Sequence, residues 1–510
     1  NSTHINMKRI FYHIMFIGCM LSPHAIAANS DSTAVTEHYA RWWDPLYTIR
    51  LNNTALYRNA FNQSLSQIKL NINKNKQKEA FILQKGDGSF LTELSVDSYL
   101  RLSRKTTVWG NASYREGKIQ NIKWNSTADY DLLYPYVMAD SVGGNLKTER
   151  YQFSGGYATL IGRFSIGGEI KFRAEHEYRN IDPRPRNIVS DLTMRAGIAT
   201  DIKSHTIALG LEGEIYKQTN SVTFYSETGE ITEYQMTGLA TYYKRFVGNA
   251  SALYYSGTSI GANINWIPTR QKGFFLTGTV NNKSYERKAA SLNSLPLTTL
   301  HITSIATETG WLHNNGNDWN ANIGLKYERR NGEEHIVGNA SSSIYPIILT
   351  LNMYNSHITN YYVRGTIGSS KNTNWHISPK IGFINYKATY LYPVHSLSLS
   401  KIYADIELQL LHRFGNNIWI NWNVSGSYYA NTNAKMTMPY IDMDESFINM
   451  IDYSFKYYKA NYTLWRTKIR GDYHIRESQM GLFAELGVKA AICTAHNNGA
   501  TIELSAGITF

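Results

Sequence analysis

In the run FSIGGEIKFRA, apolar and polar side chains change places at every step. Phe164, Ile166, Gly168, Ile170, Phe172 and Ala174 fall on one side; Ser165, Gly167, Glu169, Lys171 and Arg173 fall on the other. A period of two places successive side chains on opposite faces of a strand, so a run like this has one apolar face and one charged face. The pattern recurs. Ile207, Leu209, Leu211 and Ile215 oppose Gly210, Glu212 and Glu214. Trp319, Ala321, Ile323, Leu325 and Tyr327 alternate with Asn320, Asn322, Lys326 and Glu328, and Ile402, Ala404, Ile406, Leu408 and Leu410 with Tyr403, Asp405, Glu407 and Gln409. Strands of soluble proteins average about 5–6 residues, whereas strands that cross a bilayer need about 9–11. These runs have the longer length.

The links between runs also alternate. Short polar turns are expected at 103–105, 159–162, 202–204, 269–272, 314–318, 369–373, 415–417 and 476–479. Longer links are expected at 124–148, 176–188, 217–234, 329–355 and 432–453. Tight turns on one side and long loops on the other are the habit of outer-membrane barrels. A soluble sandwich has no reason to keep such parity. The final run, Ile502, Leu504, Ala506, Ile508 and Phe510, ends the sequence on an aromatic and looks like the strand read by the bacterial barrel-assembly machinery. Counting back from Phe510 predicts an all-β, antiparallel transmembrane barrel of about eighteen strands beginning near Ser64, with sixteen or fourteen as alternatives. Trp109, Trp266, Trp311, Trp319, Trp375, Trp419 and Trp465 lie near strand ends and suit interfacial girdles.

Composition agrees with strands. The 37 Tyr and 11 Trp favour extended structure. The net charge of +12 is spread along the sequence; a nucleic-acid partner would call for a clustered patch, and none is expected. Lys8 and Arg9, the apolar stretch 10–21 and Ala25-Ile26-Ala27 describe a secretory signal peptide cleaved after Ala27, with residues 1–6 preceding the initiator Met7. A lipid on Cys19 is the alternative. After cleavage only Cys493 remains, which leaves no intrachain disulfide. The expected organisation is leader 1–27, an N-terminal periplasmic or plug segment 28–63 and a barrel 64–510, exported to a Gram-negative outer membrane among lipid and lipopolysaccharide.

The inward faces define the candidate lumen: Glu169, Lys171, Arg173, Glu212, Glu214, Lys326, Glu328, Asp405 and Glu407. Mixed charge there suits either a water-filled pore or a network of ion pairs. YRNIDPRPRN, 178–187, is expected as a stiff external connection, because each proline fixes its own φ and restricts its predecessor. Arg179, Asp182, Arg184 and Arg186 are its candidate mouth residues. The link 434–455 carries Met436, Met438, Met443, Phe447, Met450 and Ile451. It is expected either to dock a protein partner or to fold over the barrel mouth. No G-x-S-x-G, H-E-x-x-H, Walker loop or C-x-x-C occurs, so no catalytic residue, metal ligand or cofactor is assigned.

The stretch Glu149–Leu192, with its S-G-G-Y-A strand, G-R turn and Y-R-x-x-D-P-R-P-R-N-x-x-S-D-L block, resembles an uncharacterised Bacteroidota outer-membrane β-barrel family. The resemblance implies a barrel and no particular activity. Asn52–Leu56 (NNTAL) is similar, over five residues only, to the N-terminal motif of barrels that import hydrophobic compounds. The leading functional expectation is a channel or transport-associated barrel for a polar solute. A closed barrel anchoring a surface complex is the alternative, and an outer-membrane enzyme a third class.

Overall fold

The computed structural model describes residues 43–225, 232–246, 252–339, 345–370, 374–415, 417–439, 443–475 and 480–510. The signal-peptide expectation and Cys19 lie outside them. Eighteen strands form one antiparallel sheet. The first six are β1 (Leu65–Gln77), β2 (Gly88–Arg101), β3 (Thr106–Ile122), β4 (Gly144–Ile161), β5 (Phe164–Tyr178) and β6 (Arg184–Ile202). Then come β7 (His205–Thr223), β8 (Ala252–Pro268), β9 (Lys272–Ala289), β10 (Leu295–Asn314), β11 (Asn317–Val337) and β12 (Ile347–Ser369). The last are β13 (Asn374–Tyr390), β14 (His395–Phe414), β15 (Ile418–Thr437), β16 (Tyr462–His474), β17 (Gly481–Cys493) and β18 (Asn497–Thr509).

Each strand pairs with its sequence neighbours, and β1 pairs with β18 from Gln67↔Thr509 to Gln77↔Gly499. The sheet therefore closes. Beyond the ladder, Ser66 and Phe510 exchange both backbone hydrogen bonds at 2.9 Å. Closure matters because an unpaired backbone group in hydrocarbon costs several kcal/mol, about 4–8 by transfer to cyclohexane, and an open edge would present a row of them. No helix among the described residues is long and apolar enough to cross a membrane.

The alternation sorts the side chains as expected. Ile166, Ile170, Phe172, Leu209, Leu211, Ile323, Ile402 and Ile406 are exposed on the outer wall. Trp266, Trp311, Trp319 and Trp375 are exposed beside the short turns, and Trp465 is exposed on β16. Trp109 and Trp419 correct the girdle assignment. Both fall on the inner face, Trp109 opposite Gly156 and Trp419 opposite the buried Asp472.

Among the described residues the turn end is built as read, from Leu102–Lys105 between β2 and β3 to the turn between β10 and β11; the turn expected at 476–479 lies outside them, as do 371–373 and 416. The other end differs in its boundaries. Strands continue well into the links expected at 124–148, 176–188, 217–234, 329–355 and 432–453, and β12 reaches 23 residues. Past the bilayer the outer face no longer has to be apolar, so the alternation fades. The backbone still needs partners, so the pairing runs on, as in Glu333↔Asn352 and Ile336↔Leu349.

Closure by β1 and β18 fixes a register that is open to test. Asn71 faces Ser505, whose hydroxyl donates to Asn71 Oδ1 at 3.0 Å. In a chain without other cysteines, Asn71→Cys with Ser505→Cys is expected to form a disulfide in the membrane, and Asn71→Cys with Leu504→Cys is not. Non-reducing electrophoresis of the heat-denatured barrel reads the difference.

Candidate functional site

The lumen is occupied from both ends by the chain itself. At the turn end a short helix, α1 (Pro45–Asn52), lies inside the barrel. Asp44 caps it by accepting from Leu46 N at 3.0 Å, and Pro45 opens its first turn with a φ already suited to a helix. Leu46, Ile49, Ala55 and Leu56 are buried against Ala199, Ala208, Ile267, Phe275 and Leu312 of the inner wall. Burying a side chain of this size contributes about 1.5–3 kcal/mol. On the other flank Tyr57 and Phe61 pack on Tyr99 and Trp109, with the Tyr57 and Trp109 rings 4.4 Å apart. Trp43 stacks on His376 at 3.7 Å, and His376 meets Asp318 at 3.1 Å.

Polar seating fixes the position of this segment. Thr54 Oγ1 donates to Gly167 O at 3.0 Å, Ser165 Oγ donates to Ala55 O at 2.8 Å, and Asn53 Nδ2 donates to Asn263 at 2.8 Å. Gly167 and Gly197 make room for it. A Cβ on Gly167 would sit 2.3 Å from Thr54 O, and one on Gly197 would sit 2.7 Å from Thr54 Oγ1. Sequence reasoning placed this segment as a plug or lid without finding its seat. The signal was there in the glycines that interrupt the charged face of β5 and β6.

At the loop end, residues 123–143 fold into the barrel. The sequence-derived residue Arg173 holds this link through Asp129 at 2.7 Å and also meets Glu175 at 2.8 Å and Asp191 at 3.3 Å. Tyr216 donates to Asp129 at 3.0 Å, and Asn187 and Asn220 donate to Ser126 O at 3.1 and 2.7 Å. A helix in the link after β15, α2 (Glu445–Tyr458), closes over the same region. Its Phe447 packs on Trp124 and Tyr242, and Met450 and Ile451 are buried with it. The apolar residues at its centre turn inward.

YRNIDPRPRN is only in part a loop. β5 runs to Tyr178 and β6 starts at Arg184, so Arg184 and Arg186 are strand residues and the connection shrinks to 179–183. Strand pairing continues because Pro185, whose missing N–H could not serve the ladder, still lends its carbonyl to Arg179 N at 3.1 Å. Arg179 is buried and pairs with the buried Asp140 at 2.8 Å, while also donating to Gly143 O. Arg184 pairs with Asp182 at 2.7 Å and lies over the Tyr225 ring at 4.1 Å; Arg186 donates to His176 at 3.2 Å. Nearby Glu233 has its pKa pushed well above the carboxylate range, by burial first and by the Asp140 charge second, with Arg179 pulling the other way.

The remaining lumen residues divide into two groups. Glu169 accepts from Trp109 at 3.0 Å and meets Arg195 at 3.3 Å; Arg195 meets Glu212 at 2.6 Å, and Glu214 meets Lys283 at 2.9 Å. Arg195 pairs with both neighbouring strands, while the Glu169–Trp109 and Glu214–Lys283 contacts each reach across one intervening strand. Lys171 lies on the same inner face, opposite Thr193 and Ser154. Lys326, Asp405 and Glu407 instead line a chamber of about 470 Å³, together with Glu308, Arg364 and Lys380. Its floor is α1, through Pro45, Thr48, Ile49 and Asn52. Lys380 lies over the rings of Tyr362 at 4.5 Å and Tyr403 at 5.3 Å.

A second cavity, of about 430 Å³, lies toward the loop end on the same strands. Glu328, paired with Arg330 at 2.8 Å, is at its edge. On β11 the step from chamber to cavity is Lys326 to Glu328; on β12 it runs from Tyr362 through Asn360 to Ile358. Tyr403 donates to Asn360 at 3.0 Å, so this pair spans part of the wall between them. Among the described residues, no group of three or more His, Cys, Asp or Glu side chains is placed to hold a metal ion.

Residues 54–510 match the model of the Family of unknown function (DUF6850). The chain belongs to that family. The match begins at Thr54, so it takes in the seat of the lumenal segment as well as the barrel. No curated protein sequence matches. Among solved structures, a mutant of the ferric enterobactin receptor PfeA from Pseudomonas aeruginosa is similar at 8% identity and a TM-score of 0.38, covering 88% of this chain and 80% of that one. The siderophore receptor PiuA from Acinetobacter baumannii is similar at 9% identity and a TM-score of 0.38, covering 87% and 82%. The ferric citrate transporter FecA gives 10% and 0.36, covering 87% and 78%.

The seat at Gly167 yields a direct expectation. Gly167→Val leaves the ladder of β4 to β6 intact but removes the space taken by Thr54. Trypsin added to the purified barrel should then cut at Arg50 and Arg58 at least about tenfold faster than in the parent, since losing contacts worth about 1.5–3 kcal/mol raises the released population by that factor or more.

Proposed function

We propose that this DUF6850 member is an outer-membrane transport barrel, exported by its leader, oriented with its turns in the periplasm and closed at rest by its own chain at both ends. The observation that carries this reading is the stacking of two cavities along β11 to β14, with the hydrogen-bonded Asn360 and Tyr403 between them and α1 as the floor. A solute would pass from the outer cavity to the charged chamber and leave when the N-terminal segment unseats. The charged chamber fits a solute with polar groups, and the candidate lumen residues Lys326, Asp405 and Glu407 would meet it. Arg173, Glu169, Glu212 and Glu214 act structurally, by holding the link 123–143 and neighbouring strands. Nothing in this path asks for a nucleophile, so the chain is read as a carrier and not an enzyme. The exposed Phe510 at the end of β18 suits the barrel-assembly machinery, the outer wall suits lipid and lipopolysaccharide, and the Glu149–Leu192 block suggests a Bacteroidota outer membrane.

A second reading, a permanently closed barrel that presents its loop end to a protein partner, is favoured by apolar tips at that end. Tyr392 is 80% exposed, Ile348 69% and Val394 67%. The link 434–455 would contribute only its outer surface to such a partner.

Planar-bilayer recording separates the two. The transport reading expects the intact chain to show rare or small openings, and both Gly167→Val and Asp140→Ala to raise the open fraction at least about tenfold. The second substitution leaves Arg179 buried without its carboxylate, a loss of about 3–5 kcal/mol. Silence from folded Gly167→Val whose N-terminal segment trypsin shows to be released would instead support the closed barrel.

A further inference from the structure

The inner wall of a membrane barrel is ordinarily polar. In the outer cavity, beside Glu328, Arg330 and Ser356, much of it is not. Ile358 of β12 and Leu399 of β14 project inward in register with Tyr386 of β13 between them, and Leu397, opposite Ala388, projects inward one step further along β14. Ile358 remains 38% exposed although it faces the lumen. Above them Met436, Met438, Trp124 and Phe455 complete an apolar enclosure. Five tyrosines also face it: Tyr130, Tyr134, Tyr354, Tyr386 and Tyr458. Burial pushes the hydroxyl pKa of Tyr130, Tyr134 and Tyr458 upward, which keeps them as neutral hydrogen-bonding groups.

Charge at the edge of the cavity is already spent. Arg330 pairs with Glu328 at 2.8 Å and donates to the carbonyls of Asp131 and Tyr134 at 2.7 and 2.8 Å, while Asp131 pairs with Lys85 at 2.6 Å. A charged ligand would have to displace one of these pairs. An apolar one need not.

We propose that this cavity is a binding site for a neutral aromatic molecule carrying hydroxyl or carbonyl groups at its edge. The volume is in the range of small-molecule pockets, about 300–1,000 Å³. Aromatic rings and thioethers offer flat, polarizable contact, and the tyrosine hydroxyls supply edge hydrogen bonds that an acyl chain could not use. Such a site gives the transport reading a solute class, and it rests on that reading only for the steps after binding.

The test is equilibrium dialysis of 2-naphthol against the full chain in lipid nanodiscs, with the uptake of empty nanodiscs subtracted. Saturable binding of one molecule per barrel is expected. Ile358→Trp fills the cavity and should weaken binding at least about tenfold, the equivalent of losing one well-packed apolar contact; Ile358→Val should leave it within about twofold. Heat-modifiable migration confirms that each variant is folded. No saturable excess over empty nanodiscs, or binding unaffected by Ile358→Trp, would overturn the proposal. So would equal or tighter binding of 2-naphthalenesulfonate, which would make the site anionic in preference, or of 1-decanol, which would make it an acyl-chain site. Binding with no conductance from Gly167→Val would sink the transport reading and leave the site standing. Conductance without binding would do the reverse.

Discussion

A backbone N–H or C=O left without a partner in hydrocarbon is too costly for a strand edge to survive there. Closure of β1 on β18 removes the last edge, and the rest of the molecule depends on it. Once the sheet is a closed wall, the two-residue period sends every second side chain into lipid and every other into a lumen. A wall of eighteen strands encloses more space than its own inward side chains fill. That space must hold water, ligand or more chain.

Here much of it holds more chain. At the turn end an apolar inner surface around Phe275 and Leu312 meets the apolar side of α1, and two glycines clear the backbone path of Thr54. At the loop end the fastening is ionic. Arg173 and Arg179 bind Asp129 and Asp140 of a link that would otherwise be external. Paired buried charges of this kind add little net stability against an apolar replacement, but losing one partner is expensive. They act as latches more than as ballast. Between the two closures the chain keeps a charged chamber floored by α1 and an aromatic cavity roofed by the link 123–143 and α2.

The barrel was legible because its period is local: FSIGGEIKFRA alone carries both faces of β5, and the parity of the links carries the rest. Boundaries at the loop end were less so, since paired strands beyond the bilayer lose the apolar face that marks them. Arg184 and Arg186 therefore read as loop although they belong to β6. Trp109 and Trp419 read as girdle residues because proximity to a strand end says nothing about which way a tryptophan points; Trp109 instead packs against Tyr57 and donates to Glu169. The seat of the N-terminal segment depends on contacts such as Thr54 with Gly167, more than a hundred residues apart, which no periodicity records. The inward Ile358, Leu397 and Leu399 were hidden for a related reason. An apolar residue on a strand is assumed to face lipid until the register of its neighbours is known.

The lumen is closed at its turn end by a segment packed as firmly as the wall. Hydrogen–deuterium exchange of the full chain in lipid nanodiscs measures this at the amides of Ala55, Leu56 and Tyr57, which donate to Asn53. Protection comparable to that of β5 and β6, persisting for hours, is the expected result. Complete exchange of these amides within seconds, while β5 and β6 stay protected, would contradict it.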